Sequence, residues 1–405
     1  MTKVSVPNAI STESEEIHCI SYLRGLAALG VVFHHVRTDL WVGFKALQQN
    51  PSMANSFAKF ASWLSLPTIF MGSGVMLFFV ISGFCIHYPY AGANGKRLDL
   101  KEYVVRRFFR IYPPYLIAVI FAFAVQWVGY HYGFLKGLDW RNYQLSTLLA
   151  QNSFGNQPEC NGALWTIPIE IEFYMFFPLV YLGLRRFCFS TLGAGLALTV
   201  LMIALARSIH LIETSFLPYW FTWIAGAALA EQHKIKKLKS PPLWVCFIGI
   251  LFLLSALYST WSVRANDALA QGHGNAGTIA QAASLGYGIA YSVVLWWSLT
   301  NQRIYSMLPA YAHGLLLNLG VMSYSLYLFH VPLFFLCGWM WISIFGEKPI
   351  NYFVTFPFVI LALAVAWIAY RCIEAPSHAA GRKLARYIKE RSRQQGLRRA
   401  PPHIT

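Results

Sequence analysis

The chain has 405 residues, 57% of them hydrophobic and only 12% charged. A soluble domain carries about a quarter charged residues, so the composition sets aside an ordinary soluble enzyme. It points instead to an all-α, polytopic membrane helix bundle. The net charge of +16 then reads as basic cytoplasmic loops beside anionic lipid, with no nucleic acid partner.

About ten apolar runs are long enough to span a bilayer. They fall near 19–37, 70–90, 109–130, 164–184, 189–206, 215–231, 243–262, 278–299, 319–344 and 352–373. The fifth and sixth are the shortest. Basic residues crowd alternate loops: Lys96, Arg97, Lys101, Arg106 and Arg107; then Arg185 and Arg186; then Lys234, Lys236, Lys237 and Lys239; then Arg303 and the C-terminal segment. The positive-inside rule therefore puts both termini in the cytoplasm. The first loop, with Arg37, Lys45 and Lys59 against Asp39, is the exception. The expected organisation is an N-terminal tail over 1–17, a membrane domain over 18–375 and a solvated or lipid-facing basic tail over 376–405. The polar N-terminus, with Glu13, Glu15 and Glu16, does not read as a secretory signal. No internal repeat is visible, which disfavours a secondary transporter.

The first run contains Arg24 and the pair His34-His35. Ionisable groups at bilayer depth are costly and by default mark function. Arg24 near the inner end can snorkel. His35, in the outer half, reads as functional, with Asp39 four residues on able to orient its imidazole. His34 faces about 100° away and reads as structural.

The third run opens with Arg106-Arg107-Phe108-Phe109-Arg110-Ile111-Tyr112 and a Pro113-Pro114 break. Arg106, Arg107 and Arg110 can share one helical flank. Three arginines there serve either as membrane anchors or as a cradle for a phosphorylated ligand. The fourth run opens with Leu164-Trp165-Thr166-Ile167-Pro168-Ile169-Glu170-Ile171-Glu172-Phe173-Tyr174. Glu170 and Tyr174 share a face, whereas Glu172 points elsewhere and suits a solvated helix start. In the ninth run Ser323, Tyr327 and His330 share a face, His330 near mid-membrane. It is either satisfied by a neighbouring helix or directly active. The seven cysteines have no metal-ligand spacing and read as small buried hydrophobes; no metal is expected.

Together these segments resemble the acyltransferase family 3 membrane proteins. The matching text is Leu23-Arg24-Gly25-Leu26-Ala27-Ala28 with His35; Phe78-Phe79-Val80-Ile81-Ser82-Gly83-Phe84; Arg106 through Pro113; Leu164 through Tyr174; Ser323-Tyr324 through His330; and Ile373-Glu374-Ala375-Pro376. Thr166 stands where serine is commoner, and Ala375 where a basic residue is common. The family's optional soluble esterase-like domain is not seen. The resemblance implies an O-acyltransferase of the bacterial inner membrane. Its donor is cytoplasmic acyl-CoA, most often acetyl-CoA, and its acceptor a hydroxyl of a cell-surface or lipid-linked glycan. On that reading His35 is the general base or a transient acyl carrier, with Arg24 and Glu170 beside it in catalysis. Arg106, Arg107 and Arg110 bind the coenzyme phosphates, and Tyr174, Ser323, Tyr327 and His330 bind substrate or support the site. Membrane lipid is the other partner, and oligomeric state stays open. The competing readings are a transporter or flippase of a lipid-linked glycan, which leaves the arginine cluster unexplained, and a non-enzymatic scaffold, which leaves the intramembrane charges unexplained.

Overall fold

A computed structural model describes residues 17–92, 95, 97–265 and 276–399. The expected N-terminal tail, apart from residue 17, and Lys96 lie outside the described residues. The described residues are helical, with no β-strand among them. The principal helices are α1 (His18–His35), α2 (Gly74–His87), α3 (Leu100–His131), α4 (Thr166–Ala206), α5 (Trp220–Lys234), α6 (Leu243–Ala265), α7 (Ala276–Thr300), α8 (Ala310–Val321), α9 (Ser323–Phe345), α10 (Phe356–Ala369) and α11 (Ala375–Arg399).

Against about ten apolar runs in the sequence, eight helices among the described residues are long and apolar enough to cross a membrane. The fifth and sixth runs account for the difference. The fifth is the second arm of α4, whose backbone breaks at Phe187 (φ −141°, ψ 60°). A Cβ on Gly183 would lie 2.8 Å from Thr191 Oγ1. Along a straight helix those residues are about 12 Å apart, so the two arms fold back on each other. The sixth run forms α5, only 15 residues long and buried over most of its length.

Burial follows position. Along α2 nearly every residue is buried, whereas α6 buries only Gly249 and Ala256 and turns Leu243, Phe247 and Ile250 outward, as a lipid-facing helix does. The backbones of α2 and α5 touch where they cross. A Cβ on Gly83 would lie 2.0 Å from the Trp223 carbonyl oxygen, and one on Gly226 1.8 Å from that of Val80. Small residues are what permit such an approach between membrane helices.

Three features depart from the sequence expectations or add to them. First, α3 runs straight through Pro113 and Pro114. Each proline lacks the N–H that would bond four residues back, which frees the carbonyls of Phe109 and Arg110. Ser377 Oγ donates to the first and His378 Nε2, 3.3 Å away, to the second. Second, those donors belong to α11, so the expected solvated tail begins as a helix docked on α3. Its Gly381 packs against Phe109, and Arg382, Lys383 and Arg386 point outward. Third, the segment between α3 and α4, for which the sequence set no expectation, contains a helix packed on α3. That helix, Trp140–Thr147, descends along α3: Tyr143 OH donates to the Ala122 carbonyl (3.1 Å), Tyr115 OH to Ser146 (2.8 Å) and Tyr112 OH to Thr147 (2.9 Å). Ala122 and Tyr112 are about 15 Å apart on the helix. The returning chain is tied at Gln126, whose Nε2 donates to Glu159 (3.2 Å).

Candidate active site

A cavity opens among α1, α2, α3, α4 and α9. Its free space, mouth included, is about 750 Å³. Arg24, Arg107, Arg110, Glu170, Tyr174, Ser323 and Tyr327 all line it, so seven of the ten residues singled out from the sequence meet there. Each arrives by a local cause. The i, i+4 spacing stacks Tyr174 over Glu170, and the tyrosine hydroxyl donates to Glu170 Oε1. The α2–α5 crossing brings Ser82 against the same oxygen (3.3 Å), with Trp223 Nε1 donating to Ser82 Oγ (3.3 Å). Tyr327 OH donates to the Ala163 carbonyl (2.6 Å) and accepts from Thr166 Oγ1 (2.9 Å). The threonine therefore keeps the hydroxyl that serine would supply.

The arginines divide. Arg107 lies over the rings of Tyr103 and Tyr174, 5.7 and 5.6 Å from their centroids. Arg110 and Arg24 both interact electrostatically with Glu170 and with a further carboxylate, Glu374. Arg106 is exposed, does not line the cavity and pairs with Glu102 at 2.7 Å. One helical flank carries Arg107 and Arg110, then, but not Arg106.

Glu374 is the residue the sequence reading quoted without giving it a role. It is 2% exposed and accepts from the backbone N–H and the hydroxyl of Ser325 (3.1 and 2.6 Å). A π-helical turn, Tyr370–Glu374, delivers it. Such turns often sit at functional sites. Its place in the closing motif of the resemblance was the available signal.

The histidines form a second cluster at the other end of α1. His35 Nδ1 lies 3.1 Å from Asp39 Oδ2. A carboxylate only accepts, so Nδ1 carries a proton and Nε2 is the nitrogen that faces away from the carboxylate. His330 packs edge-on against His35, ring centroids 5.0 Å apart. By the same argument His330 Nδ1 donates to the Leu326 carbonyl (2.9 Å), leaving Nε2 buried without a partner. His34 bonds the Thr68 carbonyl (3.1 Å) and faces Arg264 (3.3 Å). Neither His35 nor His330 lines the cavity, but Tyr327 does, and its ring lies 6.0 Å from that of His330. Glu172 is half-buried and accepts the Phe216 backbone N–H at 2.7 Å.

A cavity lined by Arg24, Arg107, Arg110 and Glu170 thus lies towards one end of α1, and the His35–Asp39 pair at the other, in a multi-pass helical bundle. The match to the acyltransferase family 3 domain covers residues 17–371, and the chain belongs to that family. It is 27% identical over 252 residues to a protein of Acidianus two-tailed virus that carries an acetyltransferase name, ORF330. The match covers 60% of this chain and 60% of that relative. No solved structure matches.

Proposed function

We propose that this protein is a membrane-embedded O-acyltransferase of the bacterial cytoplasmic membrane, with both termini in the cytoplasm. It moves an acyl group, acetyl in the first instance, from cytoplasmic acyl-CoA to a hydroxyl of a cell-surface or lipid-linked glycan. The observation that carries the reading is the His35–Asp39 hydrogen bond, 3.1 Å long, at the far end of the helix that sends Arg24 into the cationic cavity.

In this reading Arg107 and Arg110 hold the donor's phosphates from the cytoplasmic side, as guanidinium groups hold phosphate generally. Arg24 and His35 are about 16 Å apart along α1. That separation gives Arg24 to the donor's anionic end rather than to the reacting carbonyl. Glu170, held by Tyr174 and Ser82, fixes the arginines in place. Ser323, Tyr327 and His330 line the way between the two ends.

His35 Nε2 takes the proton of the acceptor hydroxyl as that oxygen attacks the thioester carbon. The tetrahedral intermediate collapses by breaking the C–S bond, and the proton passes from His35 to the departing thiolate. Asp39 keeps Nδ1 protonated and steadies the imidazolium. Direct attack is preferred to an acyl-histidine because it needs no further intermediate; an acyl group on His35 would appear as label retained when radiolabelled acyl-CoA is supplied without acceptor.

The test is His35→Ala in purified membranes supplied with labelled acetyl-CoA. Transfer to the glycan is expected to fall by about 10²–10⁴-fold while the protein stays folded and inserted. Wild-type transfer would overturn the role of His35. Substrate movement in proteoliposomes without acyl-CoA would favour a flippase instead. Mass spectrometry of surface glycans from cells with and without the gene identifies both acyl group and acceptor.

A further inference from the structure

A second cavity lies at the end of α2, one turn beyond the first. Cys85 and Ile86 line the first cavity; Tyr88 lines the second. Behind it, outside the lining, a carboxylate with both oxygens committed ties the end of α2 to α5. Glu231 Oε2 lies 2.7 Å from His87 Nε2, and Oε1 accepts the Gly92 N–H at 3.1 Å. Gly92 has a left-handed backbone (φ +73°), and a Cβ there would lie 3.3 Å from Lys234 Cγ. The end of α2 is thereby folded tightly against the end of α5.

Lys234, Lys236, Ser240 and Thr300 surround the free space, which is about 1060 Å³ with its mouth included. Lys234 Nζ sits 4.7 Å from the centroid of Tyr88, and Tyr88 stacks on Phe84 at 5.3 Å. Lys236 is itself held in the left-handed region (φ 55°), unusual for a residue with a side chain. Among the described residues neither lysine forms an ion pair. The site thus offers two ammonium groups without a carboxylate partner, together with hydroxyls and the edge of an aromatic cluster, a set that suits the phosphate and sugar of a nucleotide.

We infer that this second cavity is the subsite for the nucleotide end of the acyl donor, with Lys234 and Lys236 on its 3′-phosphate. This rests on the donor assignment proposed above and deepens it. The donor is a long molecule with its thioester at one end and a 3′-phosphorylated nucleotide at the other. The first cavity takes the acyl-bearing arm and the diphosphate, and the second takes the nucleoside and its remaining phosphate.

The experiment is calorimetric binding of CoA and of dephospho-CoA, which lacks only the 3′-phosphate, to the purified full-length protein and to K234Q/K236Q. Wild type is expected to prefer CoA by about tenfold or more, since hydrogen bonds to charged groups contribute that much. The double variant is expected to bind both ligands equally, at the wild-type level for dephospho-CoA. A preference retained in the double variant, or absent from the wild type, overturns this subsite and leaves the donor assignment standing. Failure of the wild type to bind CoA at all overturns both.

Discussion

His35 and His330 meet edge to edge, ring centroids 5.0 Å apart, although they come from helices nearly three hundred residues apart in sequence. Each commits its Nδ1 to a local acceptor, Asp39 for one and the Leu326 carbonyl for the other. Each imidazole thus has only its Nε2 left for another partner, one half-buried and one buried.

Asp39→Asn removes the charge that holds the His35 proton on Nδ1. A charge-assisted hydrogen bond contributes about 1.5–3 kcal/mol, so kcat is expected to fall about 10–100-fold with little change in the KM for the donor. Steady-state kinetics across a pH series checks this. A purely structural Asp39 would leave the pH profile unmoved and lower only the yield of folded protein.

Arg107→Gln and Arg110→Gln are expected to raise the KM for acyl-CoA about tenfold or more, because each removes a cation from the cavity. Arg106→Gln is expected to change it less than threefold, since that side chain is exposed and engaged with Glu102, and surface pairs are worth about 0–1 kcal/mol. Equal effects at all three positions would contradict the division of the arginines.

Ser377→Ala strands the Phe109 carbonyl that Pro113 leaves free. The expected cost is about 1–3 kcal/mol, read as a lowered thermal midpoint of the detergent-solubilised protein. The decisive comparison is Ser377→Ala on a Pro113→Ala background. There the substituted alanine supplies its own backbone N–H to the Phe109 carbonyl, so the loss of the serine should cost clearly less.

Gly226→Val forces a side chain into the Val80 carbonyl at the α2–α5 crossing, where even a Cβ would lie 1.8 Å away. Neither helix can retreat without disturbing Ser82 and Trp223 beside Glu170. Loss of the folded protein, seen by size-exclusion chromatography of solubilised membranes, is the expected result.

Cys160 is fully buried, and desolvation pushes its thiol up to about 12. A raised thiol stays protonated near neutral pH and is a poor nucleophile. Maleimide is therefore expected to label exposed Cys372 and to spare Cys160 until the protein is unfolded, as peptide mass mapping would show.

Much of the site was legible in the sequence because transmembrane helices make ionisable residues conspicuous. Arg24, Glu170 and Arg110 stand out against apolar neighbours, and helical spacing alone puts Tyr174 over Glu170. What spacing could not supply was contact between distant helices. His330 reads equally well as a structural histidine until His35 is seen beside it. Arg106 and Arg107 look alike until Glu102 claims one and the tyrosine rings the other. Pro113-Pro114 reads as a break because the donors that rescue the helix, Ser377 and His378, lie more than 260 residues away. The segment after α3 is inconspicuous in the sequence because its helices are short and polar, and their packing depends on tyrosine hydroxyls reaching backbone carbonyls between helices, from Tyr112 and Tyr115 one way and Tyr143 the other.

The π-helical turns at Val36–Leu40 and Tyr370–Glu374 carry a consequence for how this protein can diverge. Each accommodates one residue more than a regular turn would. Deleting one residue from either restores a regular helix and leaves the chain beyond it nearly in phase, because the extra residue is taken up in one wider turn, whereas a deletion in the adjoining regular helix would rotate the chain by about 100°. Inside the turn the spacing does change: Asp39 would lose its register with His35, and Glu374 its register with Ser325. Homologues with a residue missing at either place should therefore be expected to have lost the partner as well. Length variation there is a marker of altered chemistry rather than of loop drift.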